Sequence, residues 1–397
     1  MKKVGIITMH RVPNYGSVLQ TYATYRKVLQ LGYTPEIIDY QYPDSYHLDY
    51  AAGYENKSIV KKLTIKKCVK SVLRCIGLLG IARAIVGFRA KRDCDKFYGF
   101  VNRMIFSSKY TKKSILRNPP TYDIYLTGSD QTWNPRYLYH DYSFLLNFAP
   151  ENARKISYAA SFGSSAIGDE FKKEYSRLLK RYNSISVREV SGVKVIEELA
   201  ARPALHVLDP TMLLSADEWK NEIVQKSKFP EKFIFCYCMN YVFDPFPQML
   251  ELLHHLSAVM NMPVLFHGGR QYWDVIKNSD MEVVHGFGPE EFLEIYDKAS
   301  FVVTNSFHGV AFSINFQKDF FAVLNSNPTT TDDRVKDCLK TFDLENRGLN
   351  LAEININDIK IQNIPTDHSE SQKRLNKLRD DSISYLAHAL KGDDHAE

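Results

Sequence analysis

Along this chain, runs of β-branched and aromatic residues are each followed by a short polar turn and then by apolar residues at helical spacing. That recurrence restricts the fold more than any other feature, because strands joined through helices pair in parallel and carry the helices on their faces. KVGIITMH opens the series and RVPNYGS is the first turn. VLQTYATYRKVLQLG then places Val18, Tyr22, Tyr25 and Leu29 on one helical face and closes at Gly32; TPEIIDY is the next strand. YDIYLTG, KISYAAS, NSISVRE and ALHVLD continue as strands, with EFKKEYSRLLKRY and VSGVKVIEELA as helices. A second series follows the connector DPTMLLSADEW, with KFIFCYCM, MPVLFHGG, SFVVTNS and FFAVLN as strands. The order predicts an α/β protein of two Rossmann-like lobes facing a cleft, residues 1–214 and 215–397, dividing near Asp209–Ala216. Residues 57–106 read as a basic, mostly helical insertion in the first lobe. The last helix, SESQKRLNKLRDDSISYLAHAL, is expected to pack back on that lobe.

Composition narrows the function. The chain has 397 residues, enough for two cores, and its net charge is only +5, so the whole-chain balance gives no reason to expect a nucleic-acid partner. The six cysteines form no CxxC pair and no zinc spacing, and Cys236 and Cys238 alternate in a strand. No metal or organic cofactor is expected. MKKVGIITMH is too short and too strand-like for a signal peptide, and no apolar run approaches the ~20 residues of a membrane span. The expected location is cytoplasmic. The segment from Lys57 to Arg92 carries basic residues throughout and no acid, with Ile65, Val69, Val72, Leu73 and Ile76 at helical spacing. It reads either as a basic amphipathic helix resting peripherally on a membrane surface or as an ordinary solvated helix.

In an open parallel sheet, ligands sit beyond the carboxyl ends of the strands, so the turns there are the places to search. Four are polar in the same way. In the first, Asn14, Tyr15, Gly16 and Ser17 precede a helix, and Gly16 would let a ligand approach the backbone; a helix cap explains the same residues. In the second, GSDQTWNP, Asp130 could act as a base, Ser129 and Gln131 as hydrogen-bond donors, and Trp133 could stack on a sugar ring. Ser161 closes KISYAAS at an equivalent place. In the third, Arg188 offers a planar fork for a carboxylate or phosphate, or pairs with Glu189. In the fourth, TNSFHG sets Thr304, Asn305, Ser306, His308 and Gly309 at a strand end and a helix start, forming an anion pocket with a titratable group at its rim; a capping Ser306 beside a core histidine is the alternative.

The ordered set NYGSVLQTYA, YDIYLTGSDQTWNP, KISYAASFG, ISVREVSG, HVLDPTMLL and VVTNSFHGVAFSINFQKDFFAV, with DDRV following, resembles the polysaccharide pyruvyl transferase family. The resemblance covers about residues 4 to 347. It implies a fold similar to GT-B glycosyltransferases and transfer of the enolpyruvyl unit of phosphoenolpyruvate onto a sugar, usually as a pyruvate ketal across two hydroxyls. It also implies that Arg188 holds the phosphoenolpyruvate anion and that His308 serves as an acid or phosphate ligand. Where many members carry an arginine two residues before this histidine, the chain has Ser306, and Arg334 in the next loop is the candidate replacement. The expected partners are phosphoenolpyruvate and a sugar acceptor, cell-surface polysaccharide or a lipid-linked precursor. Two other readings remain open from the residues: a GT-B-type enzyme using a nucleotide sugar, and a non-catalytic carbohydrate-binding member of the family.

Overall fold

In the computed structural model, residues 1–12, 14–41, 96–138, 140–224, 227–239, 243–327, 334–360 and 367–392 are described. The basic stretch 57–92, with Cys68 and Cys75, and Cys94 lie outside them. The first lobe contains β1 (Lys3–Ile7), α1 (Tyr15–Gln30), β2 (Thr34–Ile37), β3 (Ile124–Thr127) and β4 (Arg154–Ser157). After these come α2 (Asp169–Leu179), β5 (Ser186–Val187), α3 (Val190–Ala200) and β6 (Leu205–His206). The sheet order is β2-β1-β3-β4, all parallel, and β5-β6 extends it through isolated bridges at Ile156–Ser184 and Ala160–Val187. Val4, Ile6 and Ile7 are sealed on both faces, which is why β1 is a continuous apolar run and does not alternate.

The second lobe contains β7 (Ile234–Cys238), α4 (Gln248–Met260), β8 (Val264–Gly268), β9 (Glu282–Val283), α5 (Pro289–Lys298) and β10 (Phe301–Thr304). It continues through α6 (Phe307–Asn315), β11 (Asp319–Val323), α7 (Arg334–Thr341) and β12 (Gly348–Leu349). Its parallel order is β9-β8-β7-β10-β11-β12. Cys236 and Cys238 are free thiols buried in β7. The two-lobe α/β architecture read from the alternation is thus the observed one.

α1 carries far more buried surface than an amphipathic stripe requires, because it is covered by its own sheet and by the second lobe. Tyr15 stacks on Phe292 of α5 with ring centroids 4.3 Å apart, and one continuous apolar core joins Val4 and Leu19 to Trp219, Phe312 and Leu390. Polar ties reinforce the junction: Arg26 Nη1 donates to Glu222 at 2.8 Å, and Arg103 pairs with Glu290. The last helix, α8 (Ser369–Lys391), runs from one lobe to the other. Gln372 donates to the Ile314 carbonyl near its start, while Tyr385 donates to the Ser157 carbonyl and Arg154 to the Ala389 carbonyl near its end. These contacts bring the carboxyl ends of β1, β3, β5 and β10 toward one another.

Candidate active site

The hub of this convergence is Asp209, fully buried in the connector after β6. Its Oδ1 accepts from the Thr211 backbone N–H at 2.9 Å and the Thr211 hydroxyl at 2.8 Å, an arrangement that fixes the Asp-Pro-Thr turn. Its Oδ2 accepts from Arg188 Nη1 at 3.0 Å and Ser129 Oγ at 3.2 Å, and stands 3.6 Å from His308 Nε2. One carboxylate therefore gathers the ends of β3, β5 and β10. Burial pushes the Asp209 carboxyl up, but His308, Arg188 and the Thr211 N–H more than offset it and hold it well below the ordinary carboxylate range.

Arg188 also donates through Nε to Glu189 at 2.9 Å, and Glu189 accepts from Ser161 Oγ at 2.8 Å. The guanidinium lies over the Phe307 ring, 4.4 Å from its centroid. Burial works against the charge on Arg188, yet Glu189, Asp209 and Asp130 push its pKa further up; Arg334 is close enough to oppose them. Among the described residues beside Asp209, Arg188 Nη2 has no hydrogen-bond partner within 3.5 Å, and His308 Nε2 has only its 3.6 Å ion-pair contact with Asp209. A buried polar group left unpaired costs about 1–3 kcal/mol, so the open Arg188 nitrogen beside a loosely held His308 points to a ligand that pairs them. Arg188, Asp209, Phe307 and Arg334 line a cavity of about 20 Å³, and a second of about 30 Å³ lies between Ser306, Asn325 and Arg334. Each has room for about a water or a single oxyanion oxygen. Neither cavity as it stands holds a larger anion.

The β1–α1 turn forms another wall. Gly16 lies directly against the His308 ring, and a Cβ there would sit 2.0 Å from Nδ1. The next residue, Ser17, donates to Asp130, whose other oxygen accepts from the Gln131 N–H at 2.9 Å. Asp130 has φ 71°, a left-handed conformation that Asp tolerates better than most residues. Asp130, Gly16, His308, Asp209, Ser129, Arg188 and Arg334 therefore share one neighbourhood.

Other expected site residues have structural duties. Trp133 is fully buried and donates to the Phe144 carbonyl at 3.2 Å, so stacking on a sugar is corrected to core packing. Tyr15 is the inter-lobe strut already described, and its hydroxyl donates to the Phe287 carbonyl at 3.0 Å. Asn305 accepts from the Met239 N–H and donates to the Met239 carbonyl, tying β7 to β10. Asn14 caps α1 and Ser306 caps α6 through the Gly309 N–H, so the capping alternatives describe these two residues. A Cβ on Gly309 would sit 2.2 Å from Thr304 Oγ1, which makes Gly309 a packing requirement. Gln131 is held by Asn134 Nδ2 at 2.7 Å, and Ser161 reaches the site only through Glu189. The sequence reading missed Asp209, taken as connector, and Phe307. The available signal was that HVLD, like the other strand ends, stops on a polar residue before a tight Asp-Pro-Thr turn.

The sequence model of the polysaccharide pyruvyl transferase family matches residues 14–327. No curated protein gives a significant sequence match. Among solved structures, UDP-GlcNAc 2-epimerase from Methanocaldococcus jannaschii is similar at 10% identity, covering 94% of this chain and 98% of that one with a TM-score of 0.45. The glycotransferase of kitacinnamycin is similar at 11% identity, covering 100% and 99%, with a TM-score of 0.47. The E. coli heptosyltransferase WaaC is similar at 12% identity, covering 89% and 97%, with a TM-score of 0.43.

Proposed function

The chain belongs to the polysaccharide pyruvyl transferase family, and from that premise we propose that it moves the enolpyruvyl unit of phosphoenolpyruvate onto a sugar of a cell-surface polysaccharide or its lipid-linked precursor, closing a pyruvate ketal. The observation that carries this reading is the buried Arg188 Nη2, without a hydrogen-bond partner, next to His308, whose Nε2 makes only a 3.6 Å contact with Asp209, and beside Arg334. Phosphoenolpyruvate presents a carboxylate and a phosphate, and these cations provide for both. His308 donates a proton to the CH₂ carbon, leaving an oxocarbenium-like centre at C2. A sugar hydroxyl attacks C2 and gives its proton to Asp130, forming a tetrahedral adduct. The C2–O bond to phosphate breaks, a second hydroxyl attacks, and its proton leaves with inorganic phosphate. Asp209 touches no reacting atom in this scheme; it positions Arg188 and His308.

The deciding experiment is calorimetric titration of phosphoenolpyruvate into the full chain beside Arg188→Lys, which keeps a cation but loses the fork. Saturable binding weakened at least tenfold in a folded Arg188→Lys protein is the expected result. A wild-type protein that binds a nucleotide sugar and not phosphoenolpyruvate would overturn the proposal. Among the described residues no helix is long and apolar enough to cross a membrane. For a lipid-linked acceptor we place the membrane contact on segment 57–92. Co-sedimentation with anionic vesicles tests that contact, and recovery of all the protein in the supernatant would remove it.

A further inference from the structure

A large cavity among the described residues lies on the same sheet crest, on the other side of the β1–α1 turn, and the chemistry above does not use it. It has a volume of about 500 Å³, and its walls include His10, Arg11, Asp39, Phe97, Phe106 and Lys109. The size is that of a small-molecule site. Its polar floor follows β1 and β2. His10 Nδ1 faces the Thr8 carbonyl at 3.0 Å, and Nε2 faces Asp39 Oδ1 at 3.1 Å. Arg11 donates to the same Oδ1 through Nε at 2.8 Å and also through Nη2. All three bonds use Oδ1, and among the described residues none uses Oδ2. Both ring nitrogens of His10 are engaged, so the ring is a brace that sets the carboxylate's direction. Burial raises the Asp39 carboxyl, but His10 and Arg11 outweigh it and keep it in the charged, accepting form.

We propose that this cavity binds the acceptor as a pyranose, with ring hydroxyls on Asp39, Arg11 and Lys109 and an apolar sugar face on Phe97 and Phe106. The wall chemistry selects among ligand classes. An anion would face the Asp39 carboxylate, and an apolar ligand would strip water from Asp39 and Arg11 without replacing its hydrogen bonds. A neutral polyhydroxylated ring with one C–H face satisfies both walls. Position agrees with this assignment. Val12 and Val18 line the cavity, and Phe97 packs on Tyr15 with ring centroids 5.0 Å apart, one residue before Gly16 and its contact with His308. Acceptor and donor would thus flank the same turn. The word acceptor rests on the pyruvyl-transfer reading; the sugar itself does not.

The test is saturation-transfer NMR on the full chain with methyl glucoside, galactoside, mannoside and N-acetylglucosaminide as probes, repeated on Arg11→Gln and Asp39→Asn. Arg11 is exposed, so its substitution keeps the proposal testable if Asp39→Asn does not fold. At least one probe is expected to bind the wild type saturably and to lose at least fivefold in affinity in Arg11→Gln, with phosphoenolpyruvate titration unchanged. Absence of binding by every probe to a wild type that binds phosphoenolpyruvate would overturn the assignment. So would binding that both folded variants retain. If the pyranoside binds and is lost in Arg11→Gln while phosphoenolpyruvate binds to neither protein, the sugar site stands and the donor proposal fails.

Discussion

At the scale of single residues, the site depends on close approach and on one carboxylate. Gly16 permits the contact between α1 and the His308 ring, so Gly16→Ala forces a methyl into the imidazole. Overpacking of this kind costs about 1–3 kcal/mol. We expect a lower urea midpoint and loss of most turnover, while Gly99→Ala, in a helix where a Cβ meets nothing within 4 Å, leaves turnover unchanged and the midpoint equal or higher. Equal effects of the two substitutions would contradict the packing account. Asp130→Asn keeps a residue that tolerates left-handed backbone and removes only the basic oxygen; turnover should fall by about 10²–10⁴ with stability preserved. Asp209→Asn removes the charge that compensates Arg188 and should cost about 3–5 kcal/mol at neutral pH. Because the folded pKa of Asp209 is depressed, its contribution is complete above the unfolded carboxylate pKa of about 3.9 and fades as pH falls toward the folded value. The gap in urea midpoint between wild type and Asp209→Asn should therefore be constant from pH 7 to about 5 and narrow below about 4. A gap that widens on acidification would refute this.

At the scale of elements, α8 positions the turn that carries Asp209. The Leu208 N–H donates to Ser382 Oγ at 3.0 Å, and the Ser157 carbonyl accepts from Tyr385. These bonds look equivalent but their losses are not. Ser157 O also accepts from Ser186 Oγ at 3.0 Å and stays paired in Tyr385→Phe. Ser382→Ala instead leaves a buried N–H one residue before Asp209 without its partner. Ser382→Ala should cost about 1–3 kcal/mol and Tyr385→Phe about 0.5–1.5. The reverse order in urea denaturation would contradict the placement of α8. The strands and helices that bear the site were readable from alternation and turn chemistry because each is a local consequence of apolar spacing. Asn14 and Ser306 were readable both as caps and as ligands, and only the geometry of the first helical turn separates the two uses.

At the scale of the whole molecule, the lobes share one apolar core through α1 and are tied again by α8. Calorimetry should therefore show one unfolding transition; two well-separated transitions would mean that the lobes fold independently. With cavities of about 20 and 30 Å³ beside Arg188 and Arg334, donor entry is expected to move Phe307 or α7. The sequence by itself determined the parallel α/β lobes and which turns are polar, because strand burial and helix spacing are local patterns. It also marked Asp130, Arg188 and His308 as residues with chemistry to spare. The tertiary structure alone decided that Trp133, Tyr15 and Asn305 are framework, since burial and bonding partners far along the chain are invisible to local pattern. It alone placed Asp209 at the hub and joined His10, Arg11 and Asp39 into the floor of a second cavity, because both arrangements exist only once distant strand ends share the same crest.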